Sequence, residues 1–170
     1  MLFNSVEFLF LFLPTLLIGF FAIAARSHAM AALWLALGSL FFYGWWDSRY
    51  LLLLLASIGF NYGVGLLLAR AAQQRRPWLK EVLAAGVIGD LLLLGYYKYA
   101  NFFVDAAAAL TGFDHQMAAI VLPLGISFFT FTQIAFLVDA ARGKAREFNF
   151  VHYLLFVTYF PHLIAGPVLH

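Results

Sequence analysis

The sequence predicts an all-helical, polytopic membrane protein, a bundle of about six spans, and three observations carry that expectation. Hydrophobic residues fill 65% of its 170 positions and charged ones only 11%, whereas an ordinary soluble domain is about a quarter charged. Apolar runs long enough to cross a hydrocarbon layer of roughly 30 Å recur along the chain. One of them, Ile120 to Val138, holds no Asp, Glu, Lys, Arg or His. The basic residues collect in the gaps between such runs, as they do where loops stay on the cytoplasmic side of a membrane.

Composition also excludes several classes of function. With no cysteine there is no disulfide framework, thiolate nucleophile or Cys-based metal site. Net charge is +2 and the basic residues form no single stripe, so no nucleic acid is expected as a partner. The sequence has neither a GxxxxGK[ST] phosphate loop nor an HExxH zinc site, and no metal is expected. Aromatic residues reach 19%, which suits contact with lipid and with headgroups.

The spans are expected at 8–25, 29–46, 50–69, 82–97, 120–138 and 148–165, all within one membrane domain covering 1–170. Glu7 is the sole charge ahead of Arg26. The cleavage-like Ala22-Ile23-Ala24 therefore lacks the basic flank of a secretory signal, and the first segment reads as a retained span. Pro14 bends that helix or marks its true start. The second span ends in the cluster Phe41-Phe42-Tyr43-Gly44-Trp45-Trp46, a composition found at headgroup level. In the third, Gly59 and Gly63 form a GxxxG pair expected to let another helix approach closely. The polar stretch from Arg70 to Glu81 is the one long linker. The fourth span carries Asp90 near its middle, which must face inward, and Lys98 near its end can snorkel. Residues 101–119 read as a short surface helix plus loop rather than a crossing. Gly166-Pro167 stops the sixth span.

Charge placement orients the bundle. Arg26, Arg70, Arg75, Arg76, Lys80, Arg142, Lys144 and Arg146 fall on one side and Arg49 and Lys98 on the other. The first group is expected in the cytoplasm and the N-terminus outside it, in the periplasm. Residues 101–119 are then extracytoplasmic.

Ser127, Thr130 and Gln133 recur every third residue and share about a third of the helix circumference, so that stripe should face protein. Interhelical hydrogen bonding and the lining of a substrate path both fit it. Asp90 is open to the same two readings, as a structural partner or as the wall of a polar cavity. Gly125-Ile126-Ser127 begins like a nucleophile elbow, but Phe129 stands where the second glycine belongs, so Ser127 is not activated. His152 and His162 lie nearly three turns apart on a helix, too far for one dyad. Of the two, His162 is the stronger candidate for a place beside a site.

The blocks Met1-Leu2-Phe3-Asn4-Ser5 with Phe8 to Pro14, Phe41 to Trp46, Phe60-Asn61-Tyr62, Gly95 to Phe102, Leu122 to Phe129 and Phe160 to Val168 together resemble bacterial membrane-bound O-acyltransferases of the alginate O-acetyltransferase type. They appear in the family's order and cover essentially the whole chain. Asp90 and Thr132 depart from the residues associated with that family at those places.

The resemblance implies the N-terminal portion of a larger fold in the bacterial inner membrane. It implies transfer of acetyl groups to hydroxyls of an extracytoplasmic polysaccharide, with other proteins of an acetylation complex as partners. No cofactor is expected to stay bound; acyl-CoA, an acyl carrier or a similar thioester serves as co-substrate. The family's histidine, in a Trp-His-Gly-like context, is absent from this sequence, so it is expected beyond residue 170 and this portion alone is expected to be inactive. The candidates left for the substrate path are Ser127, Thr130, Gln133, His162 and Asp90. A transporter or export-channel subunit, or a non-catalytic membrane scaffold, is the alternative.

Overall fold

The computed structural model describes residues 5–111, 122–145 and 149–159, and among these all regular structure is helical. Helix α1 (Leu13–Ala24) follows a π-helical turn, Phe8–Phe12. Pro14 explains the arrangement. It sits in the first turn of α1, where a missing N–H is harmless, and the wider turn ahead of it closes through the Leu13 N–H on the Phe8 carbonyl. Helix α2 (His28–Trp46) is capped by Ser27, whose hydroxyl accepts from the Met30 N–H. Helix α3 (Ser48–Gln73) is capped by Asp47, which accepts from the Arg49 N–H at 2.9 Å.

Helix α4 (Leu79–Thr111) is longer than the span expected at 82–97. The break expected at 101 is absent, and the helix runs straight through Asn101 and Asp105. From Tyr96 to Thr111 the chain has no Gly or Pro and carries the run Ala106 to Ala109, which favours continued helix. Residues 112–119 of the expected surface segment lie outside the described residues.

Helix α5 (Ile126–Ala141) begins six positions later than the apolar run does. Pro123 disfavours helical geometry at Leu122, and Gly125 takes a left-handed φ of 68° just before the first turn. Helix α6 (Phe150–Thr158) is shorter than the expected 148–165, ending with the Tyr159 N–H on the Leu155 carbonyl. His162 and the remainder of that expected span lie outside the described residues.

Two of these helices, α2 and α3, are long and apolar enough to cross a membrane. α3 and α4 pack on α5, while α2 packs on α1 and α6. The main apolar core runs through Ala36, Tyr43, Leu54, Ile58, Phe129 and Val157. Close approach between α3 and α5 depends on Gly65, because a Cβ there would fall on the Phe136 ring. The GxxxG pair is the exception to expectation. Nothing lies within 4 Å of a Cβ built at Gly59 or Gly63, and both face away from the described helices. α3 instead turns its polar residues and Gly65 toward its neighbours, which leaves the GxxxG edge outward. The aromatic cluster at the end of α2 also divides. Phe41 and Trp45 are exposed, but Phe42 and Tyr43 are buried.

Candidate functional site: a buried polar centre on three helices

Ser57 and Asn61 stand four residues apart on α3 and so share one face. Asp90 on α4 and Gln133 on α5 meet that face. The Asn61 side-chain amide donates to Asp90 Oδ1 at 2.7 Å, to Gln133 Oε1 at 3.1 Å and to the Ser57 carbonyl at 3.2 Å. Three acceptors share its two hydrogens, so the contacts to Gln133 and Ser57 divide one of them. The Ser57 hydroxyl donates to the same Gln133 oxygen at 2.7 Å. Asn61 thereby joins α4 and α5 to α3. All four side chains are buried, Asn61 and Gln133 completely.

The centre keeps unused hydrogen-bonding capacity. Asn61 Oδ1, Asp90 Oδ2, Gln133 Nε2 and Thr130 Oγ1 are buried and have no partner among the described residues. Such atoms are costly to strand in an apolar interior. They are two amide or carboxyl acceptors, one amide donor and one hydroxyl, which is the complement of a hydroxyl group or a water molecule. Among the described residues Asp90 is its only carboxyl group, and no nucleophile stands beside a histidine base in it. Among the described residues no three His, Asp or Glu side chains come together as a metal site.

Of the residues singled out in the sequence, the structure brings together Asp90 and Gln133 and places Thr130 one turn from Gln133 on the buried face. Ser127 is half-buried and outside the cluster. Thr132 turns back on its own helix, donating to the Phe128 carbonyl at 2.9 Å. His152 is exposed on α6. Sequence reasoning missed Ser57 and Asn61 as members of the centre. The signal was present: tyrosines aside, they are the only polar side chains from Tyr50 to Ala69, and their spacing puts them on one face. A further tie joins α2 to the segment ahead of α5, where the Tyr43 hydroxyl donates to the Leu124 carbonyl at 3.0 Å.

The chain has relatives among known proteins. The chain is 42% identical to "Probable alginate O-acetylase AlgI" of Pseudomonas aeruginosa, over 99% of its own length and 33% of that protein's. It is 43% identical to the protein of the same description from Azotobacter vinelandii, over 99% of the chain and 34% of the relative. With "Peptidoglycan O-acetyltransferase" of Helicobacter pylori it shares 37% identity over 100% of the chain and 37% of the relative. No family model matches the chain, and no solved structure does. The chain spans about a third of the length of the curated relatives it matches. Over essentially its whole length, then, the chain is similar to about a third of the length of proteins named for the O-acetylation of alginate and of peptidoglycan.

Proposed function

We propose that this chain forms the amino-terminal part of an enzyme that moves acetyl groups onto hydroxyls of a polysaccharide outside the cytoplasm. The observation that carries the reading is the alignment of the whole chain with relatives named for O-acetylation of alginate and of peptidoglycan. In this reading six segments span the bacterial inner membrane, with the N-terminus in the periplasm and the loop from Arg70 to Glu81 in the cytoplasm. The donor is a cytoplasmic thioester. An acceptor hydroxyl attacks its carbonyl carbon, a base takes the hydroxyl proton, and the thiolate leaves. The base is the Trp-His-Gly histidine, which is not among these residues, and this portion alone is inactive.

The part assigned to α3, α4 and α5 is structural support with polar capacity. Asp90, Asn61 and Gln133 fix three helices against one another, and their unused atoms, with Thr130, suit a hydroxyl-bearing molecule. Ser127 is a further candidate for the path of substrate, and so is His162, which lies outside the described residues. The test is to express the complete reading frame in a host whose own polymer acetylation has been deleted. Acetyl esters on the polymer are expected, and mutation of the Trp-His-Gly histidine is expected to abolish them. Unchanged ester content in that mutant would overturn the catalytic assignment.

A further inference from the structure

The ends of α3 and α5 bracket a pocket of about 380 Å³, lined by Gln73, Arg75, Leu79, Ala140, Arg142 and Gly143 among others. Both helices close in the same way. At the end of α3 the Arg75 N–H donates to the Ala72 carbonyl at 3.2 Å and the Arg76 N–H to the Ala71 carbonyl at 2.9 Å. At the end of α5 the Gly143 N–H donates to the Ala140 carbonyl at 3.1 Å and the Lys144 N–H to the Asp139 carbonyl at 2.9 Å. This paired closure needs a left-handed residue just past the helix, a place that glycine fills without strain. In α5 that residue is Gly143, at φ 68°. In α3 it is Arg75, at φ 49°, a conformation disfavoured by any Cβ. Two equivalent turns therefore face one pocket, and one of them keeps an arginine where glycine would relax the backbone. What the arginine adds there is a guanidinium.

Arg142, at the end of α5, lines the same pocket. Both arginines are exposed, and neither makes an ion pair with a carboxylate among the described residues, where the salt bridge present is Arg49 with Asp47. A single positive charge at each helix end would answer the negative end of its dipole. Two arginines among the residues lining one pocket offer more, since each guanidinium can match the paired oxygens of an anion.

We propose that this pocket binds a phosphate group, held between Arg75 and Arg142. The phosphate belongs either to an acidic phospholipid headgroup or to a soluble phosphate compound. The proposal goes beyond acetyl transfer and uses the membrane reading only to place the pocket on the cytoplasmic face.

The test uses the complete reading frame, purified in neutral detergent. Binding is measured by native mass spectrometry with phosphatidylglycerol, with a neutral glycolipid of the same chains, and with inorganic pyrophosphate. Phosphatidylglycerol, pyrophosphate or both are expected to bind more tightly than the glycolipid. Binding of the lipid alone assigns the source to a headgroup, and binding of pyrophosphate alone assigns it to a solute. Arg75→Gln with Arg142→Gln is expected to weaken the complex about tenfold or more, while Lys80→Gln, outside the pocket lining, leaves it unchanged. Arg75→Gly separates binding from folding, because it should raise the thermal midpoint of the unliganded protein and still weaken phosphate binding. The proposal is overturned if neither phosphate ligand outbinds the glycolipid, or if binding survives intact in both arginine variants. Polymer acetylation is scored separately, so neither result decides the other.

Discussion

The pairing of α1 with α2 and the meeting of α3, α4 and α5 hold helices together by different means. Between α1 and α2 the contact is almost wholly apolar. Phe8, Leu16 and Phe42 form a small core, Leu16 occupies the space left by Gly38, and the polar tie is the Trp34 indole N–H on the Leu16 carbonyl at 3.0 Å. Among α3, α4 and α5, packing surrounds the Ser57–Asn61–Asp90–Gln133 centre. In lipid, apolar side chains gain little by leaving the solvent, so the first kind of contact rests on shape alone. The second adds hydrogen bonds whose loss strands polar groups. The two regions should therefore respond differently to truncation.

The largest effect is expected from Asn61→Leu, which leaves Asp90 and Gln133 without their shared donor. A loss of about 2–3 kcal/mol is expected, read as the unfolding free energy of the complete protein in micelles. Gly65→Ala comes next. Its new Cβ meets the Phe136 ring, and overpacking of this kind costs about 1–3 kcal/mol. Adding Phe136→Leu should return part of that loss, which distinguishes a steric cause from a change in helix propensity. Leu16→Ala should cost less, about 1 kcal/mol, because only the cavity contribution applies where the surroundings are lipid. If Leu16→Ala proves costlier than Asn61→Leu, the contrast between the two regions is lost.

The smallest effect lies at the junction of α2 and α3. Asp47 is held below the usual carboxylate range, chiefly by hydrogen bonds from the Arg49 side chain and N–H, with the charge of Arg49 adding to them. A carboxyl depressed on folding contributes stability above its unfolded pKa of about 3.9, and that contribution fades as pH falls through the folded value. Arg49 is exposed and Asp47 half-buried, so solvent screens the effect. Arg49→Gln is expected to lower stability slightly at neutral pH, to flatten its decline below pH ~4, and to leave stability unchanged once the carboxyl is protonated.

Helical content and the inward face of α5 were legible in the sequence, because long uncharged runs and a three-residue polar spacing speak directly to helix geometry. Asp90 was legible as inward-facing for the same reason, since a charge in the middle of a long apolar helix has few places to go. Boundaries were less so. The late start of α5 turns on the backbone at Pro123 and Gly125, and the continuation of α4 turns on the missing breaker after Gly95, which a reading by hydropathy passes over. Gly59 and Gly63 misled because a small-residue motif says that a helix can be approached, not that it is. Asn61 escaped notice as a site residue because its importance comes from two other helices. Its partners lie 29 and 72 positions away along the chain, and nothing local to α3 encodes them.

The most direct test of the polar centre is a double-mutant cycle on Asn61→Ala and Asp90→Ala in the complete protein, measured by unfolding in micelles. If Asn61 joins α3 to α4 through Asp90, the two substitutions are not additive, and a coupling of about 0.5–2 kcal/mol remains. Additive losses would contradict the account, since the two side chains would then act independently of each other.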